Sequence, residues 1–198
     1  MTIMATLITV LLAAIGFALV LLRPQFASAH CDTMDGPTAK DGQAALESGN
    51  LNLALKWIQP EGEAEVRQAF DLARKVRVLG EDANVLADRF FLETLVRVHR
   101  AGEGAGFEGL KPHGVPIDEK VAAADKSIEI GSLEPLTGLV PEEKWAELER
   151  RFARVLEVQD YDVDDVEAGR RYIDAYVHFF KYAEGHDHEH HEHHEHRH

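Results

Sequence analysis

The chain has 198 residues, a single cysteine and a formal net charge of -14. That charge excludes nucleic acid as a partner and disfavours anionic lipid, while cations are attracted. One cysteine excludes an internal disulfide, so the fold must stand on packing alone.

The apolar run over residues 2–22 carries no charge and is about as long as a span of hydrocarbon core. Ala27-Ser28-Ala29 follows it, in the small-x-small pattern behind which a signal peptidase cuts. Two readings stay open. The cut site points to a removed leader. The absence of a basic residue before the run, and Arg23 just after it, point to a retained membrane anchor. In both, residues 1–29 stand outside the fold, and the protein is exported to the periplasm or the extracellular space, or anchored by residues 2–22. A membrane is a partner only if that segment is kept.

Cleavage would make His30 the first residue and Cys31 the second. An α-amine, an imidazole, a thiolate and a backbone amide would then lie within two residues. This is an N/S donor set suited to nickel or copper in a planar geometry. It is the candidate metal site at His30 and Cys31.

Helical periodicity dominates from there on, and strand signals are almost absent. Pro37 opens a short helix that ends at Ser48-Gly49, and Leu51, Leu55 and Ile58 form the stripe of a second. Pro60, with Glu61, Glu63 and Glu65 behind it, starts a long helix over about 61–79, striped by Val66, Phe70, Ala73 and Val76. Another covers about 82–101, with Leu92, Leu95 and Val96 on its apolar face. The Gly- and Pro-rich stretch to Pro116 is a loop. Its Gly102-Glu103-Gly104-Ala105-Gly106 is no phosphate loop, since it follows a helix and lacks the Lys-Ser/Thr signature. Short helical pieces over 118–139 and long helices near 141–158 and 163–184 complete the domain, residues 30–185.

The second half echoes the first at one offset of 82 positions. Leu46-Glu47-Ser48-Gly49 answers to Ile128-Glu129-Ile130-Gly131, Ala64-Glu65-Val66 to Ala146-Glu147-Leu148, and Phe70 to Phe152. A constant offset suggests a duplicated helical unit, 36–104 and 118–185. The expected fold is all-α, a bundle of four long helices with short helices at one end.

From residue 186 onward, histidine alternates with acidic residues. His186, His188, His190, His191, His193, His194, His196 and His198 are eight of the chain's twelve histidines. Imidazoles at this density chelate transition metals, nickel, zinc or copper among them, and the segment has too little apolar content to pack. Inside the helices, histidine reads as structural. His99 shares a stripe with Leu92, Leu95 and Val96, His178 lies one turn from Asp174 and Tyr182, and His113 sits in the loop. If one of them faces the N-terminus in space, it is His99 or His113. Glu93 and Arg97, one turn apart, are expected to pair. No Ser-His-Asp arrangement or nucleophile elbow is present, so binding is favoured over catalysis.

The His30-Cys31-Asp32 start on a helical domain resembles the nickel superoxide dismutases. In that family the first histidine, the terminal amine and two cysteines hold nickel; here Asp35 stands at the second cysteine's place, so dismutase activity is not implied. The chain is more broadly similar to an uncharacterised family of exported bacterial proteins. The residues that carry this are Ala29–Asp32, Asp35-Gly36-Pro37 and the stretch from Phe91 to Gly104. That resemblance implies export but no activity. Three functions follow: an exported metal-binding protein, a redox metalloenzyme built on the N-terminal hook, and an anchored interaction module with incidental metal affinity.

Overall fold

A computed structural model describes residues 30–185, so the leader or anchor and the histidine tail lie outside the described residues. Seven α-helices are present among the described residues. They are α1 (Pro37–Ser48), α2 (Asn52–Leu55), α3 (Glu63–Val76), α4 (Glu81–Gly102), α5 (Glu119–Ile130), α6 (Trp145–Val158) and α7 (Val166–Glu184). The fold is all-α, as the periodicity implies. Extended pairing is limited to one isolated parallel bridge, Thr33 with Lys111, among the described residues. None of the described helices is long and apolar enough to cross a membrane.

Local signals explain the helix ends. Pro37 occupies the first turn of α1, and Gly49 closes it at φ 78°, a left-handed value that glycine adopts without strain. Asp118 and Asp165 cap α5 and α7 by accepting from the amides of Lys120 and Ala168. The helix expected over 61–79 is α3 flanked by 3-10 turns at Pro60–Gly62 and Arg77–Leu79. The stripe through Leu51 and Ile58 gives only the four-residue α2. Pro60 forces Gln59 into an extended conformation at ψ 151°, so the helix cannot continue.

Two helical hairpins carry the core. In α3, Val66, Ala69, Phe70 and Ala73 recur at helical spacing and are buried against α4, which contributes Phe91, Leu92, Leu95 and Val96. In α6, Leu148, Phe152 and Val155 face Ile173, Tyr176, Phe179 and Phe180 of α7. Helix α1 packs on α4, and α5 packs on α7. Gly42 makes the first of these contacts possible, since a Cβ there would lie 2.7 Å from the side chains of both Leu92 and Leu95.

Trp57 joins the hairpins. Its indole meets the His99 ring of α4 edge-on at 5.5 Å and the Tyr176 ring of α7 at 6.0 Å. Its N–H donates to Asp41 of α1 at 2.7 Å. The expected pair between Glu93 and Arg97 does not form. Arg97 reaches across the hairpin to Glu65 of α3, and Glu93 is taken by Arg89 one turn before it, at 2.9 Å.

Candidate functional site

Residues 30–36 form a strap that meets the C-terminal end of α4 at Arg100 and the middle of α5 and α7 at Asp125 and Tyr176. Backbone bonds fasten it to the loop, from Lys111 N–H to Asp32 O at 2.7 Å and from Met34 N–H to Lys111 O at 3.0 Å. Asp35 accepts from His113 Nδ1 and the Gly114 amide, each at 2.6 Å, which holds its carboxyl below the usual carboxylate range. A tight turn from Thr33 to Gly36 then leads into α1. Only glycine fits at position 36, because a Cβ would come within 2.1 Å of the His30 carbonyl oxygen.

This strap buries His30, Cys31 and Asp32. His30 Nε2 lies 2.9 Å from the Tyr176 hydroxyl and 3.1 Å from Asp125 Oδ2. Tyr176 donates its own proton to Asp125 Oδ1 at 2.8 Å. Burial, with Asp125 beside it, pushes the Tyr176 phenol well above its ordinary value, so it stays protonated and its oxygen is left to accept. Both neighbours of Nε2 therefore accept, and the network assigns the ring proton to Nε2. The other ring nitrogen, Nδ1, is buried and without a hydrogen-bond partner. An imidazole whose far nitrogen is tied to a carboxylate while the near one stays open is the arrangement that orients metal-binding histidines.

The Cys31 thiol is pushed up to about 12, chiefly by burial, then by the negative charges of Glu103 and Asp32. It is therefore a neutral thiol. A polar cluster from the end of α4 lies beside it. Arg100, itself buried, reaches Asp32 at 3.4 Å and Glu103 at 3.0 Å, and Lys181 of α7 stands 3.5 Å from Glu103. Pairing is what permits a guanidinium at this depth.

His99 borders the same cluster. Its Nδ1 lies 2.9 Å from the Trp57 carbonyl, which can only accept, so Nδ1 carries the proton. Burial lowers the His99 pKa, so the ring is neutral and Nε2 is a bare acceptor with no hydrogen-bond partner. The ring is part of the wall of a cavity of about 270 Å³ between α4 and α7, lined also by Trp57, Glu103, Ile173, Val177 and Lys181.

Of the site residues read from the sequence, only His30 and Cys31 lie among the described residues; the eight tail histidines and Ala27-Ser28-Ala29 lie outside them. His113 is exposed and grips the strap through Asp35, while His99 is buried close enough to feel the charge of Asp32 in the strap. His178 bonds to Asp174 one turn before it. Among the described residues, no three His, Cys, Asp or Glu side chains converge on one point. Asp125, Tyr176 and Arg100 are partners that sequence reasoning missed. Asp125 and Tyr176 meet His30 from far along the chain, so no local motif could announce them.

Neither characterised proteins nor solved structures gave a match to this chain. The model of one family, a family of unknown function designated DUF6448, matches residues 35–182, which takes in α1 through α6 and nearly all of α7, and the chain belongs to that family.

Proposed function

We propose that the protein is exported and, once processed behind Ala29, binds a transition metal at its new N-terminus. The observation that carries this reading is the His30 ring, whose Nδ1 is buried and unpartnered while Nε2 is held by Tyr176 and Asp125. Nδ1 is the ring nitrogen that closes a six-membered chelate with the amine of the same residue. Cleavage supplies that amine, and Cys31 supplies sulfur. Metal coordination removes the thiol proton that burial otherwise retains. A site built from two side chains, an amine and a backbone amide needs no convergence of three side chains. Amine, imidazole and thiolate donors in a plane favour nickel or copper. The histidines of residues 186–198 are a collector of lower selectivity, with zinc among its cargo.

Binding, not turnover, is the better supported role. Asp35 stands where nickel superoxide dismutases place their second sulfur, and its carboxylate is engaged by His113 and Gly114. The echo between halves gains weight from the helix limits. Pro37–Ser48 and Glu119–Ile130 stand 82 positions apart at both ends, as do Glu63–Val76 and Trp145–Val158. We take the two segments as copies of one unit.

The test is the mass and metal content of protein recovered from an export-competent bacterium expressing the full chain. The expected mature form begins at His30 and keeps one equivalent of nickel or copper after residues 186–198 are deleted. Cys31→Ser in that shortened form is expected to lose it, together with the thiolate-to-metal absorption band. A retained leader, or equal metal content with and without the Cys31 thiol, would overturn the reading.

A further inference from the structure

We propose that the cavity between α4 and α7 binds a small carboxylic acid bearing a hydroxyl or amino group next to its carboxylate. None of the residues invoked is a proposed metal ligand, so this site stands or falls apart from the processed N-terminus.

One buried residue in the cavity wall, His99, lacks a donor for its second nitrogen. His99 is 4% exposed, its Nδ1 proton is committed to the Trp57 carbonyl, and its bare Nε2 has no hydrogen-bond partner. A buried acceptor left unpaired is costly, and such groups in native proteins call for an explanation. Another acceptor, Glu103 Oε2, lies 3.9 Å away. An ammonium can donate to both acceptors, whereas a hydroxyl, with one proton, donates to Nε2 alone and leaves Glu103 Oε2 to its contact with Arg100 at 3.0 Å.

The neighbouring wall lacks an acceptor. Lys181 Nζ is 3.5 Å from Glu103 Oε1, well beyond the roughly 2.7–2.9 Å of a charge-assisted contact. This loose pair leaves ammonium protons for a second anion beside Glu103. Arg151 and Arg170 line the same cavity but are already paired, with Glu147 and with Glu63 and Glu167, so Lys181 is the cation with the loosest partner there. A ligand carboxylate thus falls on Lys181 while its donor group falls between His99 and Glu103. Both poles border the one Glu103 carboxylate, so a ligand whose donor group lies next to its carboxylate matches them.

Size and lining narrow the class further. About 270 Å³ is just below the ~300–1,000 Å³ usual for drug-sized ligands, so the occupant has few heavy atoms. Trp57, Ile173 and Val177 give the remaining wall an apolar surface for a short side chain. A simple fatty acid would leave Nε2 unpaired, and a simple amine would leave Lys181 unmatched.

The experiment is titration of the full chain with lactate, alanine and propionate, read from the ring-nitrogen resonances of His99. Lactate or alanine is expected to shift the Nε2 resonance saturably, at least about tenfold tighter than propionate. Preference for lactate assigns a hydroxy acid and preference for alanine an amino acid; either supports the site. Lys181→Gln, a change at a partly exposed position, is expected to weaken that binding about tenfold while leaving the free-protein His99 resonance in place. Binding of propionate as tight as that of lactate and alanine, no saturable shift with any probe, or unchanged affinity in Lys181→Gln would each overturn the proposal.

Discussion

The hairpins α3–α4 and α6–α7 are mechanically alike and chemically different. Each is clasped by a phenylalanine pair with ring centroids 5.4 Å apart, Phe70 with Phe91 in the first and Phe152 with Phe179 in the second. Their tips diverge. Around Gly80 the first hairpin exposes Val78, Leu79, Val85 and Leu86, with Val78 81% exposed. The corresponding turn in the second carries Asp160, Asp162, Asp164 and Asp165. Their histidines diverge too. His99 is buried with one nitrogen unpaired, whereas His178 is half-exposed and bonds to Asp174 in its own helix. A shared scaffold needs only the apolar stripe, so polar positions are left to acquire separate chemistry.

The clasps give the largest expected effects. Phe91→Ala removes a fully buried ring and is expected to cost about 3–5 kcal/mol in chemical denaturation. Phe152 is 7% exposed and its ring is tilted against Phe179, so Phe152→Ala is expected at the low end of that range. Equal costs, or a second transition in either variant, would show that the hairpins do not share one cooperative core. Next in size is Gly36→Ala, which drives a methyl group into the His30 carbonyl. Overpacking of this kind costs about 1–3 kcal/mol. The same change is expected to release the His30–Tyr176 contact, visible as altered His30 ring resonances.

How much of this was legible in the sequence follows from the range of each interaction. The stripes of α3, α4, α6 and α7 are periodic, so their helices could be placed within a few residues. The proline and glycine at the ends of α1 acted locally and were read correctly. Trp57 was not singled out, because its role depends on two rings, His99 and Tyr176, brought to it by different hairpins. Arg97 was paired with the wrong glutamate, since spacing within one helix says nothing of Glu65 on the next. His30 and Cys31 stood out as a motif, yet Asp125 and Tyr176, which fix the His30 tautomer, carry no pattern of their own.

The two histidines sharpen the comparison by titrating in opposite directions. Burial lowers the His99 pKa from 6.5, so the unfolded chain takes up a proton that the folded one refuses. Stability therefore falls on this account as pH drops below the unfolded value. The Asp174 side chain raises the His178 pKa, so its contribution is fully present below 6.5 and fades as pH rises through the folded value. Ring resonances followed between pH 5 and 8 are expected to show His178 protonating first as acid is added, and His99 last. A reversed order would mean that Glu103, 3.9 Å from His99 Nε2, outweighs the burial of that ring.

The smallest effect is expected at the exposed tip of the first hairpin. Leu79 is 75% exposed and sits in the turn before Gly80, so replacing it removes little packed surface. Leu79→Gln is expected to change stability by no more than about 0.5 kcal/mol, the usual range for surface substitutions. Its amide is also better solvated than the isobutyl group it replaces. A denaturation midpoint lowered as far as by Phe152→Ala would mean that the tip is covered in solution. The acidic turn of the second hairpin supplies the control. Asp160→Asn removes one like charge from a crowded loop, and a midpoint at or slightly above that of the unaltered chain is expected. Together the pair asks whether the tips are mere connections, as their exposure implies, or parts of the folded core.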